Sequence, residues 1–377
     1  MSKIDDLIKE LCPDGAELIE LNKVTRYEQS TKYIVRSNIY NDSFSTPVLT
    51  AGKTFILGYT DESSGIYNAS THPVIIFDDF TTANKWVDFD FKVKSSAMKM
   101  ITSADDGAVL LKYIYYWLNT LPSGLVEGNH KRQWISSWSK KKIPVPPLEV
   151  QKEIVRVLDS FTELEAELEA ELEARKKQYE YYRNTLMAFG DSVAWKPMGE
   201  VTDNFDRLRK PVARSERTKG KYPYYGANGI QDYVNDYIFD GAYLLLGEDG
   251  SVKNKDGSPI VNWAEGKIWV NNHAHVLQAK SNALILRFIY FYLQTIDISP
   301  YVTGGTQPKI NQKNMNSIKI PIPPLEKQKQ IVSILDKFEK LTNDISVGLP
   351  AEIEARRKQY EYYRNKLLTF KELERSK

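Results

Sequence analysis

Apolar residues recur with a seven-residue period in two long segments of the chain, which predicts two long helices. In the first segment the positions step alternately by four and three residues, at Leu168, Leu172, Arg175, Tyr179, Tyr182, Leu186 and Phe189. The same phase returns at Leu349, Ile353, Arg356, Tyr360, Tyr363, Leu367 and Phe370. Such heptad spacing is typical of a coiled-coil seam. Two helices that carry the same seam are expected to pack on each other in an antiparallel arrangement.

The seams belong to a longer internal repeat. IPVPPLEVQKEIVRVLDSF at Ile143–Phe161 returns as IPIPPLEKQKQIVSILDKF at Ile320–Phe338, and EARKKQYEYYRN at Glu173–Asn184 returns as EARRKQYEYYRN at Glu354–Asn365. Between these repeats the halves diverge, with strand-like runs such as HPVIIFDDF and KIWVNNHAHVL. We predict a pseudo-twofold α/β (α+β) protein, with two globular domains joined by two long antiparallel helices. A pseudo-twofold molecule suits a partner that is itself roughly two-fold, such as duplex DNA.

The repeat predicts four segments. These are a first globular domain at 1–142, a central helical segment at 143–190, a second globular domain at 191–319 and a distal helical segment at 320–377.

Leucine spacing distinguishes the two helical segments. Leu164, Leu168 and Leu172 are four apart, whereas the second copy adds one four-residue step, through Ile345. Each step adds roughly 6 Å of helix, and a helix from 162 to 189 would be roughly 42 Å long, comparable with the ~34–36 Å between half-sites one DNA turn apart. The length of the helix therefore either sets the separation between two half-sites or has no functional meaning. Gly348 and Pro350 predict a kink or restart in the second helix.

Composition restricts the class of protein. With 377 residues and 42% hydrophobic positions, the chain is long enough for two domains with their own cores. The net charge of +2 means that any field attracting nucleic acid must be local. A single cysteine and the lack of a signal peptide or long apolar run predict a soluble cytoplasmic protein.

No residue pattern predicts catalysis or a metal site. His273 and His275 lie two apart on a predicted strand, but no third ligand is evident, so they are interpreted as polar strand residues. Asp78 and Asp79 are interpreted as acidic turn residues.

Cations and amides cluster at several places where they could bind DNA. Arg and Lys can bind phosphates, and Arg, Asn and Gln can recognise base edges. The alternative is that these segments are ordinary solvated loops. The candidate DNA-binding residues are Lys85, Trp86, His130, Lys131, Arg132, Gln133, Arg207, Arg209, Lys210, Lys221, Tyr225, Asn228, Gln307, Lys309 and Asn311.

The repeated motifs resemble the specificity subunit of type I restriction-modification systems. That family has two target-recognition domains, each followed by IPxPPLxxQxxIVxxLD and then a helix with KKQYxYYR. The matching segments are Ile143–Asp159 with Lys176–Arg183, and Ile320–Asp336 with Arg357–Arg364. The LEAE-type repeat at Glu163–Ala174 is similar to the IC subclass, in which four-residue units tune the spacer between half-sites.

The resemblance implies a non-catalytic subunit that recognises a bipartite, asymmetric double-stranded DNA target. It implies two modification (methyltransferase) subunits and restriction (translocase/nuclease) subunits as partners, with S-adenosylmethionine, ATP and Mg bound by those partners and no cofactor in this chain. Tyr181, Arg183, Tyr362 and Arg364 are expected to point away from the seam and to dock partners, because Tyr and Arg are favoured interface residues. The alternatives are a duplicated coiled-coil adaptor with protein-binding heads and a stand-alone DNA-binding regulator.

Overall fold

The structure, a computed structural model, describes residues 3–50, 54–122 and 132–373. The chain divides into two compact units. Unit 1 consists of Met1–Leu168 together with Ile353–Lys377, and unit 2 consists of Glu169–Glu352. Each unit therefore combines a globular domain with helical residues from both copies of the repeat.

The described residues form the following helices and strands. The helices are α1 (Lys3–Leu11), α2 (Leu21–Val24), α3 (Leu111–Leu118), α4 (Gln133–Ser136), α5 (Leu148–Leu186), α6 (Met198–Val201), α7 (Leu286–Leu293), α8 (Gln312–Ser317), α9 (Leu325–Asn343) and α10 (Leu349–Leu367). The strands are β1 (Glu17–Glu20), β2 (Thr25–Gln29), β3 (Thr46–Leu49), β4 (Ile56–Thr60), β5 (Val74–Asp78), β6 (Asn84–Val87), β7 (Lys92–Val93), β8 (Met98–Ser103), β9 (Lys142–Val145), β10 (Ala194–Pro197), β11 (Thr202–Asn204), β12 (Lys219–Gly226), β13 (Gly229–Val234), β14 (Phe239–Gly247), β15 (Val261–Val270), β16 (Ala274–Ala279) and β17 (Lys319–Ile322).

The two globular domains share one strand plan. Unit 2 has a six-stranded sheet in the order β11-β16-β14-β15-β12-β13, and unit 1 has the sheets β2-β8-β5-β6 and β4-β3-β7. The long strand β15 pairs antiparallel with β14 and parallel with β12. In unit 1 these two roles fall to separate short strands, β6 and β7. The mixed α/β fold with an internal repeat is therefore confirmed, and the divergence lies in how the central sheet is divided.

A matched pair of buried glutamines fixes the start of each repeated helix. Gln151 accepts a hydrogen bond from the Leu110 amide and donates to the carbonyls of Ala108 and Pro146, all at 2.9–3.0 Å. Gln328 makes the corresponding three bonds in unit 2, at 2.8–3.1 Å. Both side chains are fully buried. Each therefore joins the aromatic helix, α3 or α7, to the Pro-Pro turn.

In each unit the seam tyrosines pack on a phenylalanine of the helix that follows the Pro-Pro turn. Tyr363 of α10 stacks on Phe161 of α5 at 5.5 Å between ring centroids, within unit 1. Tyr182 of α5 stacks on Phe338 of α9, also at 5.5 Å, within unit 2. Tyr360 and Tyr179 lie beside them at 6.4 and 6.2 Å. Each unit thus contains a pair of packed helices. The spacing of the seam residues did not reveal that these phenylalanines are the partners of the tyrosines.

The second helical segment is interrupted between α9 and α10. The Asp344 carboxylate accepts hydrogen bonds from the amides of Ser346 and Val347, which forms a tight turn after α9. Gly348 then donates to the Asp344 carbonyl, and Pro350 lies in the first turn of α10. The predicted restart is confirmed. The expectation that Ile345 continues the seam is wrong, because it lies in this turn with 85% of its surface exposed.

The last described residues complete unit 1 by pairing with its first strand region. Ala16 donates to the Lys371 carbonyl at 2.9 Å, and Leu373 donates to the Ala16 carbonyl at 3.0 Å. Gly15 has φ +110°, and a Cβ there would lie 2.2 Å from the Lys371 carbonyl oxygen. Only glycine fits this approach.

Within the part of the chain that the structure describes, none of the helices combines the length and apolar character needed to cross a membrane.

Candidate nucleic-acid interface

The basic stretch after β11 divides into exposed and internal cations. Arg207 and Lys210 are exposed, on a short 3₁₀ turn and the loop after it. Arg209 lies between them with a side chain only 12% exposed, and its guanidinium binds the Glu248 carboxylate at 2.6 Å. It also donates to the Ala274 carbonyl at 2.7 Å. Arg207 and Lys210 are thus available to a ligand, while Arg209 holds the loop to the sheet.

The hairpin of β12 and β13 contains three predicted DNA-binding residues in three different settings. Lys221 is exposed, with its ammonium 5.3 Å from the centre of the Tyr222 ring. Tyr225 is only 9% exposed, because it belongs to the hydrophobic core that contains Phe239 and Tyr243. Asn228 is exposed at the turn, where its amide donates to the Ser251 hydroxyl at 2.9 Å. Tyr225 is therefore a core residue, and Lys221 and Asn228 remain surface candidates.

A basic aromatic surface beside this hairpin was missed by sequence reasoning. Tyr222 and Tyr237 are in ring contact at 5.2 Å, and Lys267 of β15 lies 4.5 Å from the centre of the Tyr237 ring. A hydrogen bond with Tyr237 raises the pKa of Lys267 above its ordinary value. With Lys221 this set places two exposed ammonium groups beside two aromatic rings. The alternation of KIWV in β15 signals a strand, but nothing in the sequence brings Lys267 next to Tyr237.

The loop before α8 presents one amide and one cation. Gln307 is exposed, and Lys309 is half-exposed with its ammonium 3.3 Å from Glu248. Lys309 and Thr303 exchange backbone hydrogen bonds at 2.7 and 2.8 Å, which closes the loop at its base. Asn311 caps α8 by accepting from the Asn314 amide. Asn311 therefore has a structural role here, and Gln307 and Lys309 face outward.

The candidate DNA-binding residues of unit 1 also divide into exposed and internal side chains. Lys85 is exposed on β6 and Arg132 is exposed just before α4. Trp86 lies 6.1 Å from the Tyr115 ring and under the Lys112 ammonium, an arrangement repeated in unit 2 by Trp263, Tyr290 and Arg287. Gln133 is only 7% exposed. Trp86 and Gln133 are thus part of the scaffold.

Two further candidates of unit 1, His130 and Lys131, lie outside the described residues.

His275 lies on β16, whereas His273 lies in the turn just before that strand, and the two histidines have separate carboxylate partners. His273 pairs with Asp249, whereas His275, only 1% exposed, lies 2.6 Å from Asp206. Asp206, Glu248 and His275 have ligand atoms within 4.8 Å of one another, the spacing of a metal site. Arg209 already neutralises Glu248, and the other nitrogen of His275 faces the Ile310 carbonyl at 2.8 Å. This chemistry fits an ion-pair network better than a metal site.

The proposed docking residues also differ in exposure. Tyr181 and Tyr362 are 66% and 63% exposed. Arg183, in contrast, lies over the Tyr179 ring and donates to Gln294 at 3.0 Å, and Arg364 lies over the Tyr360 ring. The prediction that these arginines point away from the seam is wrong, because each covers a seam tyrosine. The tyrosines alone form outward positions repeated in both units.

Comparison with known proteins places these features in a family. The sequence profile described as "Type I restriction modification DNA specificity domain" matches twice, at residues 13–174 and 193–355. The EcoR124I/EcoR124II specificity subunit of Escherichia coli, described as that of a type I restriction enzyme, is 46% identical over 98% of both chains. A putative type I specificity subunit of Mycoplasma pneumoniae is 32% identical over 61% of this chain and 97% of its own length.

Solved structures show the same fold. A type I restriction-modification S subunit from M. genitalium superposes with a TM-score of 0.63 at 15% identity, over 93% of this chain and 96% of that one. A chain from a structure titled for complex assembly and conformational transition of the type I restriction-modification system gives a TM-score of 0.50 at 17% identity, over 94% and 98%.

The protein is thus built from two DNA specificity domains on a duplicated helical frame. The chain belongs to the specificity subunits of type I restriction-modification systems. It is the non-catalytic DNA specificity component of such an enzyme, and its resemblance to the IC subclass is confirmed by the E. coli relative.

Proposed function

We propose that each unit recognises one half of a bipartite, asymmetric double-stranded DNA target with a non-specific spacer. The observation that carries this proposal is a repeated frame, in which Gln151 of unit 1 and Gln328 of unit 2 make corresponding hydrogen bonds. Around this frame the two units present unlike sets of exposed polar groups. An identical frame supports a common way of approaching DNA. Unlike exposed groups support two different half-sites.

The DNA contacts are assigned to the exposed members of the candidate set. In unit 2 these include Arg207, Lys210, Lys221, Gln307 and Lys309, and we extend the proposed set to the exposed Lys267. Lysines and arginines would bind phosphates, while Gln and Asn side chains offer paired donors and acceptors to base edges. In unit 1 Lys85 and Arg132 have the corresponding exposure.

Modification subunits are proposed to dock on Tyr181 and Tyr362, while Arg183 and Arg364 cover the seam tyrosines Tyr179 and Tyr360. Large, exposed aromatic side chains at equivalent positions suit two copies of one partner. In this family S-adenosylmethionine, ATP and Mg belong to the modification and restriction subunits. Restriction subunits complete the proposed complex, which is expected to act in the cytoplasm.

The test uses the complete chain purified with its modification subunits. Methylated adenines are first mapped in the host genome to define the target, and binding is then measured on duplexes with substitutions in either half-site. We expect sequence-selective binding that weakens as the salt concentration rises, because phosphate contacts release counterions. Substitutions within the spacer should leave the affinity unchanged.

Binding that depends on neither the DNA sequence nor the salt concentration would contradict the proposal and favour the adaptor with protein-binding heads. Tight specific binding by the chain alone would instead favour a stand-alone regulator.

A further inference from the structure

A buried basic side chain occupies the same strand position in both units, a histidine in unit 2 and a lysine in unit 1. His275 of β16 is the register partner of Leu246 on β14, and Lys99 of β8 is the register partner of Phe77 on β5. The residue two places beyond that partner is an acid in both cases, Glu248 in unit 2 and Asp79 in unit 1. Lys99 is fully buried and His275 is 1% exposed. Charges are rarely buried this deeply unless they are paired.

In unit 2 the buried imidazole joins three separate segments. Its Nδ1 lies 2.6 Å from Asp206 in the loop after β11 and 3.6 Å from Glu248 at the end of β14. Its Nε2 lies 2.8 Å from the Ile310 carbonyl, at the base of the loop that presents Gln307 and Lys309. Both nitrogens face oxygen acceptors, so both bonds form together when the ring carries two protons.

Charged side chains surround the His275 imidazole. Arg209 binds Glu248 at 2.6 Å and lies 3.5 Å from Asp206, and Lys309 lies 3.3 Å from Glu248 at the rim. Burial alone would raise the pKa of Asp206, but the hydrogen bond and charge of His275, with bonds from Asn204 and the Val276 amide, lower it. The ionised carboxylate is thus the form that this network favours.

In unit 1 the corresponding cation holds the corresponding segment. Lys99 lies 3.4 Å from the Asp79 carboxylate, whose other oxygen accepts from the Trp134 amide at 2.9 Å. The Asp79 carbonyl accepts from Gln133, just as the Glu248 carbonyl accepts from Ile310. Arg132, exposed and proposed to contact DNA, immediately precedes this anchor.

We infer that His275 and Lys99 are positioning residues for DNA recognition. His275 fixes the base of the loop that presents Gln307 and Lys309, and Lys99 fixes the backbone next to Arg132. This inference rests on the proposed function. The two side chains do not touch DNA themselves, since both are buried. His275 acts through Ile310, which follows the exposed Lys309. Lys99 acts through Asp79, which binds the Gln133 amide next to the exposed Arg132.

Because the two anchors lie in different units, their loss should affect different half-sites. The test compares His275→Gln with Lys99→Gln in the full complex with modification subunits, on duplexes substituted in one half-site at a time. We expect His275→Gln to weaken specific binding about tenfold, the typical effect of losing a charged hydrogen bond. Discrimination should be lost in one half-site only, and Lys99→Gln should affect the other half-site.

Two further variants separate positioning from general loss of stability. His273→Gln is the matched control, because His273 lies two residues before His275, in the turn that precedes β16, and its side chain is 46% exposed and pairs with Asp249. His275→Lys introduces the cation that unit 1 uses and should recover binding to within about threefold of the original affinity. The melting temperature of each complex is measured in parallel, and Asp206→Asn replaces His275→Gln if that variant does not assemble.

Selective loss in one half-site, with recovery by lysine and an unchanged melting temperature, supports the inference. Equal weakening of both half-sites, or no weakening, overturns it while leaving the proposed function intact. If the original complex shows no sequence-selective binding, the proposed function itself fails.

Discussion

Single buried polar residues hold the repeated frame together. Gln151 and Gln328 each satisfy three backbone groups that the turn before the helix would otherwise leave unpaired inside the protein. An amide is suited to this role because it offers donors and an acceptor without a charge. The motif that repeats in sequence is therefore partly a hydrogen-bonding device.

Replacing Gln151 by methionine should lower the free energy of unfolding by about 3 kcal/mol, since it preserves side-chain length but leaves buried polar groups unpaired. Urea unfolding followed by tryptophan fluorescence measures this. Gln307→Met, at an exposed position, should change stability by no more than ~0.5 kcal/mol. Equal effects of the two substitutions would contradict the assigned role.

Acid should weaken unit 1 through Glu153. Hydrogen bonds from Arg156, with a weaker one from Lys3 and against the effect of burial, lower the pKa of Glu153 to about 2. In the unfolded chain a glutamate titrates near ~4.3. The stabilisation is therefore complete above about pH 5 and is lost as the pH falls towards 2.

Glu153→Gln should lower the free energy of unfolding at pH 7 by about 1–2 kcal/mol, a modest value because Arg156 and Lys3 are largely exposed. The difference from the original protein should shrink as the pH approaches 2. Unfolding curves at several pH values measure this, with the exposed Glu149→Gln as control. A difference that grew in acid would refute the assignment.

Some candidate residues could not be judged from sequence because their type does not reveal their burial. Arg209 lies in a run of surface cations, yet two carboxylates and three carbonyls surround it. Tyr225 follows Tyr224 in a polar hairpin, yet it occupies a core position of the sheet. Long-range pairing decides both cases. Glu248 and Ala274 are far from Arg209 in sequence, and Val270, the strand partner of Tyr225, is also far from it.

At the scale of elements, the helices could be predicted and the sheets could not. Heptad spacing and the Gly348 and Pro350 signals depend on neighbouring residues, so the helical segments and their break followed from the sequence. In unit 2 the single strand β15 pairs with both β14 and β12, whereas in unit 1 the short strands β6 and β7 take these two roles. Asp88 and Asp90 lie between β6 and β7. The pairing of these strands is decided by residues that are far apart in sequence, so local patterns do not predict it.

The turn between α9 and α10 gives a test of this element. A Cβ at Gly348 would lie 2.5 Å from the Lys340 carbonyl oxygen and 2.7 Å from that of Asp344. Gly348→Ala should therefore destabilise unit 2 by about 2 kcal/mol, because backbone atoms must move. Thermal unfolding measures the effect. Gly190→Ala is the control, since a Cβ there meets nothing within 4 Å, and comparable losses would argue against a tight turn.

At the scale of the whole molecule, α5 is one continuous helix of 39 residues that contributes to both units. Leu168, the last residue of unit 1 in this helix, lies within the four-residue leucine pattern. The sequence alone predicted this connection, because the repeat and its spacing are local features. It could not predict which half of the helix belongs to which unit.

Inserting Leu-Glu-Ala-Glu after Leu168 should lengthen the preferred DNA spacer and leave both half-sites unchanged. Four residues add roughly 6 Å of helix, against about 3.4 Å for each base pair, so an increase of about one or two base pairs is expected. Methylome mapping in cells that carry the variant measures spacer and half-sites together.

A control that replaces residues 166–169 with another helix-forming tetrapeptide should retain the original spacer. Altered bases in either half-site after the insertion would sink the proposal that helix length sets the separation.

The way unit 1 is completed has a consequence for synthesis of the chain. Unit 2 is contiguous in sequence, so all its residues are synthesised, and emerge from the ribosome, before those of the segment that starts at Ile353. Unit 1 begins first but lacks α10, whose Leu367 belongs to the same core as Ile154 and Leu158, until the end. Domains tend to fold as they emerge. Part of the core of unit 1 therefore stays exposed until α10 is synthesised, and unit 2 is expected to fold before unit 1.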